Sequence, residues 1–460
     1  MNYEVVVVGG GIGGLTAAAL LAARGMNVCL FERQLQTGGC VATVEHQGYQ
    51  FEPTFGLYPG WEKGGIFAQI FSELPVDPPA VRLLSPSYIV RLPDGVDVPI
   101  VTELEQFEGN LAQAFPECTA AAINLYRDLN QATAEVASKP DILSQRLDGC
   151  SFRFRRFVDV QLQTLIQRSS DQCTFDLAAA ALRPNRNFWR IEGGAQALAG
   201  ALERSLKASG GSLRLNSPVL QLAYESDGRS AGIDLLSGER VIATRAIISN
   251  LTVLDTYGKL IGMNRTPGNV SVQLKRLCAW GAYQVFLSMD RSMAGKLPSR
   301  SIVALNDWQE NQTFNPEFNQ FVLSVGGNFD LPATEGSVAA TLSTFTNAED
   351  WFSFHEDHTT HEEQDQSALE TIWSRLHASM PELGDSVEVI ETATPQTFYE
   401  TTRRKFGMIG QPNTPAPGLR TTPFTNLFVI SDTVASNAGL AGTTELALDV
   451  ANLIQPRLPS

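Results

Sequence analysis

The sequence feature that most constrains the fold is a run of glycines between a strand pattern and a helix pattern. Residues 3–8 are rich in β-branched side chains and are apolar on both faces, which is typical of a buried parallel strand. The glycines that follow fit Gly-x-Gly-x-x-Gly at Gly9, Gly11 and Gly14, and residues 15–24 are predicted to be helical. The start of such a helix presents backbone amides to an anion. The segment therefore predicts a dinucleotide site.

A second strand that ends in a carboxylate supports this prediction. Residues 27–31 have the pattern of another buried strand, and Glu32 follows directly. A carboxylate at this place accepts hydrogen bonds from the hydroxyls of an adenosine ribose. Because strand, glycines, helix, strand and acid occur in the expected order, a dinucleotide site is favoured over a purely structural glycine-rich turn.

Length and charge narrow the class of protein. A chain of 460 residues exceeds what one hydrophobic core holds, so two or three folding units are expected. The net charge is −15, which argues against a nucleic-acid partner because binding a phosphate backbone needs a dense cationic surface. The longest uncharged stretch, residues 5–23, contains the glycine turn and is not a membrane span. Any membrane contact is therefore expected to be peripheral.

No metal site and no catalytic residue are predicted. The six cysteines include no Cys-x-x-Cys pair, so neither a disulfide framework nor a zinc or iron–sulfur site is indicated, and a reducing, cytoplasmic compartment is expected. His355, His358 and His361 would each be rotated by about −60° from the previous one along a helix, which spreads their ring nitrogens too widely for one ion. Their acidic neighbours indicate a solvated face.

Two further segments resemble a known flavoprotein superfamily. The paired glycines 38–39 after Glu32 are similar to the second signature of the superfamily that includes amine oxidases, protoporphyrinogen oxidases and carotenoid desaturases. Residues 426–432 have a strand pattern that ends at Asp432, and Gly439 precedes a helix pattern, which resembles the C-terminal flavin motif of that superfamily. The resemblance implies FAD as the cofactor.

A narrower resemblance covers nearly the whole chain. Residues 190–196 lead into a helix pattern, and residues 330–332 and 394–398 carry further matches. Together these segments resemble the phytoene-desaturase-like branch, whose members include carotenoid desaturases, carotenoid isomerases, ketolases and retinol saturases. The ensemble of motifs, rather than any single one, points to carotenoids.

The resemblance implies which residues bind the cofactor. The glycine turn would hold the pyrophosphate, Glu32 the ribose, Val219 the adenine through its backbone, and Asp432 the ribityl chain. Cys40 stands where many relatives have arginine or alanine. The full set of implied cofactor-binding residues is Gly9, Gly11, Ile12, Gly13, Gly14, Glu32, Arg33, Gly39, Cys40, Thr54, Phe55, Val219, Ser249, Asp432, Gly439 and Leu440.

The positions of these motifs predict two interleaved domains. An α/β Rossmann-like FAD-binding domain, a parallel sheet with helices, is expected from residues 1–85, 190–265 and 390–460. An α+β substrate and membrane-facing domain is expected from residues 86–189 and 266–389. Helical periodicity over residues 104–180 and alternation of apolar and polar residues over 270–323 predict helices and an antiparallel sheet in the second domain.

The function that the resemblance implies is an FAD-dependent oxidoreductase that introduces double bonds into a carotenoid. An FAD-dependent carotenoid cis–trans isomerase is the main alternative, and a flavin amine or protoporphyrinogen oxidase is a further one. Enzymes that reduce a flavin with a bound nicotinamide usually need a second dinucleotide fold, and only one Gly-x-Gly-x-x-Gly pattern is present. Electrons are therefore expected either to leave to a quinone or oxygen or not to be consumed at all. A hydrocarbon polyene would require an apolar tunnel with few polar side chains.

One segment predicts contact with a membrane surface. Residues 152–157 alternate phenylalanine and arginine, and Arg153, Arg155 and Arg156 are the candidate contacts to anionic lipid. The alternative is an ordinary helix whose phenylalanines face the core.

Overall fold

The computed structural model describes residues 1–132, 141–225, 230–306, 312–326, 336–352, 357–410, 422–435 and 439–456. The elements up to residue 249 are β1 (Asn2–Val8), α1 (Ile12–Ala23), β2 (Val28–Phe31), β3 (Val44–His46), β4 (Tyr49–Phe51), α2 (Ile66–Phe71), β5 (Val81–Leu83), β6 (Tyr88–Arg91), β7 (Asp97–Ile100), α3 (Leu104–Ala114), α4 (Thr119–Gln131), α5 (Leu143–Arg146), α6 (Phe152–Ile166), α7 (Phe175–Leu182), β8 (Trp189–Ile191), α8 (Gly194–Ala208), β9 (Ser212–Arg214), β10 (Val219–Tyr224), β11 (Ser230–Leu235) and β12 (Arg240–Ser249). The elements that follow are α9 (Val253–Asp255), α10 (Gly268–Leu274), β13 (Trp280–Asp290), α11 (Arg291–Ala294), β14 (Ser301–Leu305), α12 (Pro316–Asn319), β15 (Gln320–Val325), β16 (Ser337–Asn347), α13 (His358–Ser379), β17 (Val387–Ala393), α14 (Pro395–Thr402), β18 (Leu427–Val429) and α15 (Gly439–Ile454).

The first sheet has a parallel centre and an antiparallel edge. Its strands run in the order β10-β11-β12-β1-β2-β9, and β18 pairs with the end of β12. The start of β12 is antiparallel to β11, whereas its end lies between β1 and β18 and is parallel to both. Helices α8 and α15 both pack against α1. Side chains from both faces of β1 are fully buried, as expected for a central parallel strand.

The second sheet is mainly antiparallel. Its order is β17-β13-β16-β15-β14-β6-β7, and within it β14 and β6 are parallel. One core forms between this sheet and α3, α4, α6 and α7, and it contains Phe107, Phe154 and Phe157. Another core contains α13 side chains such as Leu376 together with Leu287 of β13. Because successive side chains of a strand point to opposite faces of the sheet, the strands of the second sheet contribute apolar side chains to both of these cores.

The predicted fold class is confirmed: a Rossmann-like parallel sheet with helices is joined to a second unit with an antiparallel sheet. The domain boundaries themselves stay a prediction. One local expectation is wrong, because Gly268–Leu274 is helical where alternation from residue 270 predicted a strand. Leu274 and Leu277 are buried at the three-residue spacing of a helix face, and β13 begins only at Trp280. Residues 330–332 and His355 lie outside the described residues.

The segment proposed for lipid contact is part of the second core. Phe154 and Phe157 are fully buried. Arg153 forms an ion pair with Asp94 at 2.6 Å, Arg155 with Asp148 at 3.2 Å, and Arg156 with Asp159 at 3.1 Å. The paired arginines and buried rings do not form an open cationic and aromatic surface, so the structure gives this segment no basis for a lipid contact.

No helix within the described ranges is both long enough and apolar enough to cross a membrane.

Candidate functional site

A cavity of about 680 Å³ extends from the glycine turn of the first sheet to the wall of the second. All but two of the residues predicted to bind the cofactor line this cavity, and the two exceptions are Gly14 and Ser249. The lining residues from the predicted set are Gly9, Gly11, Ile12, Gly13, Glu32, Arg33, Gly39, Cys40, Thr54, Phe55, Val219, Asp432, Gly439 and Leu440. The fold thus brings together segments that lie hundreds of residues apart.

In the glycine turn, the backbone at the start of α1 lies very close to the backbone at the end of β1. Gly9 has a φ of +101°, and a Cβ atom at Gly14 would lie 2.2 Å from the carbonyl oxygen of Gly9. Gly14 therefore allows α1 to pack against the end of β1, which is why it lies behind the cavity rather than in its wall. No side chain caps α1 at Gly11. The first-turn amides of α1 consequently remain available to an anionic ligand.

Glu32 closes the end of β2 at the cavity wall. Its Oε2 accepts a hydrogen bond from the Gly10 amide at 2.6 Å, and its Oε1 accepts one from the Gln34 amide at 2.7 Å. The carboxylate is thereby held beside the glycine turn, where a ribose would meet it. Val219 lines the same end of the cavity.

The paired glycines lie directly against the glycine turn. The amide of Gly38 donates to the Gly10 carbonyl at 2.9 Å, and both Gly38 and Gly39 have positive φ angles, of 118° and 61°. Cys40 follows at the cavity wall, and burial raises the pKa of its thiol. The thiol is therefore held in its protonated, uncharged form.

Arg404 is a wall residue that the sequence analysis missed. Its Nη1 lies 3.4 Å from the Cys40 Sγ, and its Nη2 donates to Asp432 Oδ2 at 2.8 Å. Burial opposes the charge of Arg404, but the charge of Asp432, together with the hydrogen bonds to Asp432 and Cys40, outweighs this effect and raises the pKa of Arg404. Arg404 therefore places a cation next to Cys40, the position where many relatives have arginine. Because Arg404 reaches the wall from the segment after α14, no local pattern predicts it.

The rim near Arg33 is tied to α14. The guanidinium of Arg33 and the side-chain amide of Gln34 both donate to the carbonyl of Thr401. Burial and the nearby Arg403 charge lower the pKa of Arg33. Lys259 donates to the carbonyl of Arg403 at 2.9 Å. This end of the cavity is thus bordered by several cations.

The loop that carries Thr54 and Phe55 is held by a network of hydrogen bonds around Tyr58. The hydroxyl of Tyr58 donates to Glu52 and also contacts the Thr54 hydroxyl, while Glu52 Oε1 accepts from the Ala195 amide at 2.9 Å. Burial, followed by the charge of Glu52, raises the pKa of Tyr58 well above its ordinary value. The ring centroid of Phe55 lies 6.1 Å from that of Phe345. This loop therefore joins the two sheets at the middle of the cavity.

Ser249 does not line the cavity. It is fully buried, and its Oγ lies 2.7 Å from the Thr256 hydroxyl oxygen. The next residue, Asn250, lines the cavity instead, and its Nδ2 donates to the Ile430 carbonyl at 2.7 Å. Because neighbouring residues of a strand point to opposite faces, the prediction missed the wall by one residue.

The far half of the cavity carries more polar groups than a hydrocarbon tunnel was expected to have. Its aromatic and apolar lining includes Leu57, Leu165, Phe188, Phe345, Phe398 and Ile409. Its polar lining includes Thr164, Gln167, Arg186, Gln284, Ser343 and Thr344. The side-chain amide of Gln284 donates to the Pro53 carbonyl at 2.9 Å and to the Ser343 hydroxyl at 3.0 Å. Sequence periodicity did not single out these residues.

In the parts of the chain that the structure describes, no group of three His, Cys, Asp or Glu side chains is placed to hold a metal ion.

The first sheet, with its glycine turn and the helices packed on it, has the architecture of a Rossmann-like domain. Residues 7–74 match the family model of the NAD(P)-binding Rossmann-like domain. A solved structure of an oxidoreductase from Methanosarcina mazei shares the fold, with a TM-score of 0.71, 18% identity, and coverage of 98% of this chain and 99% of that chain.

Relatives with curated functions narrow the class. The chain is 24% identical to prolycopene isomerase 2, chloroplastic, of an Oncidium hybrid cultivar, over 95% of this chain and 81% of that protein. It is 26% identical to the zeta-carotene-forming phytoene desaturase of Myxococcus xanthus, over 63% of this chain and 60% of that protein. Its homologues are enzymes, namely prolycopene isomerases, phytoene desaturases and retinol reductases. They form the carotenoid desaturase and isomerase branch of the FAD-dependent oxidoreductases.

Proposed function

We propose that the cavity binds FAD. Its adenosine ribose would be held by Glu32 and its pyrophosphate by the first-turn amides of α1. Asp432 and Arg404 would meet the ribityl chain. The observation that supports this fit is the glycine cradle: a Cβ atom at Gly11 would lie 2.6 Å from the Asn250 side-chain oxygen, so only glycine lets the backbone lie at the cavity wall beside Asn250.

We propose that the enzyme introduces double bonds into a carotenoid. The observation that carries this proposal is a continuous cavity that joins the glycine turn to an aromatic wall on the second sheet. A bound flavin accepts a hydride from an unactivated C–H bond. Phe55, Phe188 and Phe345 would flank the polyene and exclude water from the reacting carbons. We assign no side chain as a proton donor or acceptor.

A carotenoid cis–trans isomerase is the second candidate. What favours it is the extent of similarity, because the prolycopene isomerase matches 95% of this chain and the M. xanthus phytoene desaturase matches 63%. In an isomerase the same wall would hold a twisted polyene without net loss of electrons.

In a desaturase, we propose that a quinone or oxygen accepts the electrons.

The experiment that separates these functions is mass-resolved chromatography of products. FAD-loaded protein is incubated with liposomes that carry acyclic carotenes, with and without a quinone. Loss of two hydrogens that depends on the quinone supports the desaturase. Equal mass with changed retention supports the isomerase. Unchanged carotenes, together with peroxide formation from a polyamine or a porphyrinogen, would favour the amine or protoporphyrinogen oxidase instead.

We also propose that the enzyme associates peripherally with anionic membranes, from which it takes its lipophilic substrate. The candidate surface is the exposed part of residues 256–278, a stretch that contains no acid although the whole chain has a net charge of −15. Within it, Lys275 and Arg276 are exposed beside α10, and Met263 and Val272 are 58% and 51% exposed. Cations next to exposed apolar side chains favour an anionic lipid interface.

Liposome sedimentation tests this surface. Replacing both Lys275 and Arg276 with glutamate should reduce binding to anionic liposomes, whereas Arg155→Glu on α6 is the matched control and should bind as the unmodified protein does. If the double substitution has no effect, the proposed surface is wrong. The expected cytoplasmic location and the division into two domains stay predictions.

A further inference from the structure

We propose that Arg186 binds the carboxylate of a lipophilic substrate, so that the cavity accepts a polyene acid in preference to an uncharged polyene. This inference rests on the proposed function, because it concerns the substrate half of the same cavity. It adds a chemical class of substrate, a carboxylate at the end of a conjugated chain, that a hydrocarbon carotene does not have.

Arg186 is anchored at the cavity wall through one edge of its guanidinium group. Its Nη1 donates to the carbonyls of Ala180 and Ala181, near the end of α7. Its guanidinium carbon lies 5.4 Å from the centre of the Phe188 ring, and both residues line the cavity. Nε and Nη2 have no hydrogen-bond acceptor among the residues that the structure describes. The anchored edge fixes the position of the group and leaves two donors for a ligand.

The charge of Arg186 lacks a close counter-ion. Within the described part of the chain, no carboxylate lies within ion-pair distance of it, and Glu62 and Glu445 act only from farther away. Burial accordingly lowers its pKa. Two other arginines that are largely buried have acidic partners: Arg91 pairs with Asp97 at 2.8 Å, and Arg404 with Asp432. A cation removed from water without a partner is costly, and an anionic ligand relieves that cost.

The lining of the same cavity suits the remainder of such a ligand. Phe188 and Phe345 supply aromatic surface for a conjugated chain, and Leu57 and Leu165 supply apolar surface. A hydrocarbon would fill this wall but leave the guanidinium without an anion. An acid with the same polyene would use both parts of the wall at once, and two parallel N–H donors match the geometry of a carboxylate.

Binding to the FAD-loaded protein tests the proposal, with all-trans-retinoic acid and its methyl ester as probes. The two share one polyene and differ in charge, and quenching of protein fluorescence reports their Kd values. We expect the acid to bind at least about tenfold more tightly than the ester, as a charge-assisted contact predicts. Arg186→Gln should remove this preference and leave the Kd of the ester unchanged, and Arg186→Lys should retain part of it.

Arg183→Gln is the matched control. Arg183 ends α7 three residues earlier and donates to the carbonyl of Ala132 at 2.9 Å, but it does not line the cavity. Its substitution should leave the preference for the acid intact. The proposal is overturned if acid and ester bind the unmodified protein equally, or if the preference survives in Arg186→Gln. It is also overturned if Arg186→Gln weakens FAD binding instead, because the residue would then belong to the cofactor site.

Failure of this inference can be told apart from failure of the proposed function. If the ester binds but the acid gains nothing, Arg186 is not a carboxylate site and the polyene cavity stands. If neither polyene binds to the FAD-loaded protein, both proposals fall.

Discussion

Replacement of Gly14 by alanine tests whether α1 needs a glycine to pack against the end of β1. Helix propensity alone predicts that alanine stabilises the protein, whereas the close contact predicts that alanine destabilises it. The new Cβ atom would lie 2.2 Å from the carbonyl oxygen of Gly9, and 3.1 Å from the Cβ of Asn250. The first of these contacts is with backbone, which cannot rotate away as a side chain can. Helix α1 would therefore have to move away from the end of β1.

The expected cost follows from two opposing effects. Overpacking at a rigid contact costs about 1–3 kcal/mol. Alanine in a helix is favoured over glycine by about 0.5–1 kcal/mol. The difference between the two effects gives a net destabilisation of about 1 kcal/mol for Gly14→Ala, with about 2.5 kcal/mol as the upper bound. Because the turn between β1 and α1 would shift with the helix, the Kd for FAD should rise by about tenfold, which corresponds to about 1.4 kcal/mol.

Gly109→Ala provides the matched control. Gly109 lies inside α3, is exposed, and its added Cβ would meet nothing within 4 Å. This variant should be stabilised by about 0.5–1 kcal/mol and should bind FAD normally. The assays are the midpoint of urea unfolding and FAD titration by flavin fluorescence. If Gly14→Ala unfolds at the same urea concentration as Gly109→Ala, the reasoning about the helix and strand contact is refuted.

Three further predictions concern the cofactor site and the buried thiols. Glu32→Gln should raise the Kd for FAD by about tenfold but leave the Kd for FMN unchanged, because FMN lacks the adenosine ribose; equal losses in the two titrations would contradict the ribose assignment. Asp432→Asn, which breaks the ion pair with Arg404, should weaken FAD binding while the far-ultraviolet circular dichroism spectrum stays the same, and unchanged binding would remove both residues from the cofactor site. Burial raises the pKa of Cys173 to about 12, whereas a thiol in the unfolded chain ionises near pH 8.5. The protonated thiol therefore contributes its full share of the folding stability below about pH 8.5, and this contribution declines as the pH rises towards 12. Cys173→Ala should therefore lose less stability than the unmodified protein when urea midpoints are compared at about pH 8 and pH 10, and parallel losses would refute the assignment.

The nucleotide half of the site could be predicted because its chemistry is local. The glycine turn, the strand that ends at Glu32 and the paired glycines each occupy a few consecutive residues, so spacing alone indicates their roles. The error at Ser249 has the same origin, since the correct segment was identified but the face of the strand was off by one residue. Asn250, the next residue along the chain, does line the cavity.

The second half of the site could not be predicted because it depends on distant contacts. Arg404 reaches Cys40 from 364 residues further along the chain. Arg186 becomes distinctive only in space, because it lines the cavity and no carboxylate of the described residues lies within ion-pair distance of it. The arginines of α6 illustrate the opposite error: Arg153 pairs with Asp94, which lies 59 residues earlier in the chain. A local pattern of arginine and phenylalanine contains no information about such a partner.

The pairing of β12 with both the first and the last strand of its sheet has a consequence for biosynthesis. A nascent chain that has not yet reached residue 427 can join β1, β2 and β12, but the outer edge of β12 stays open and α1 lacks the packing of α15. Asp432, Gly439 and Leu440 also come from this last stretch. If these residues hold the proposed cofactor, its loading would follow synthesis of the segment that ends in α15, and until then the exposed strand edge is a site where newly made chains can associate with one another or with a chaperone.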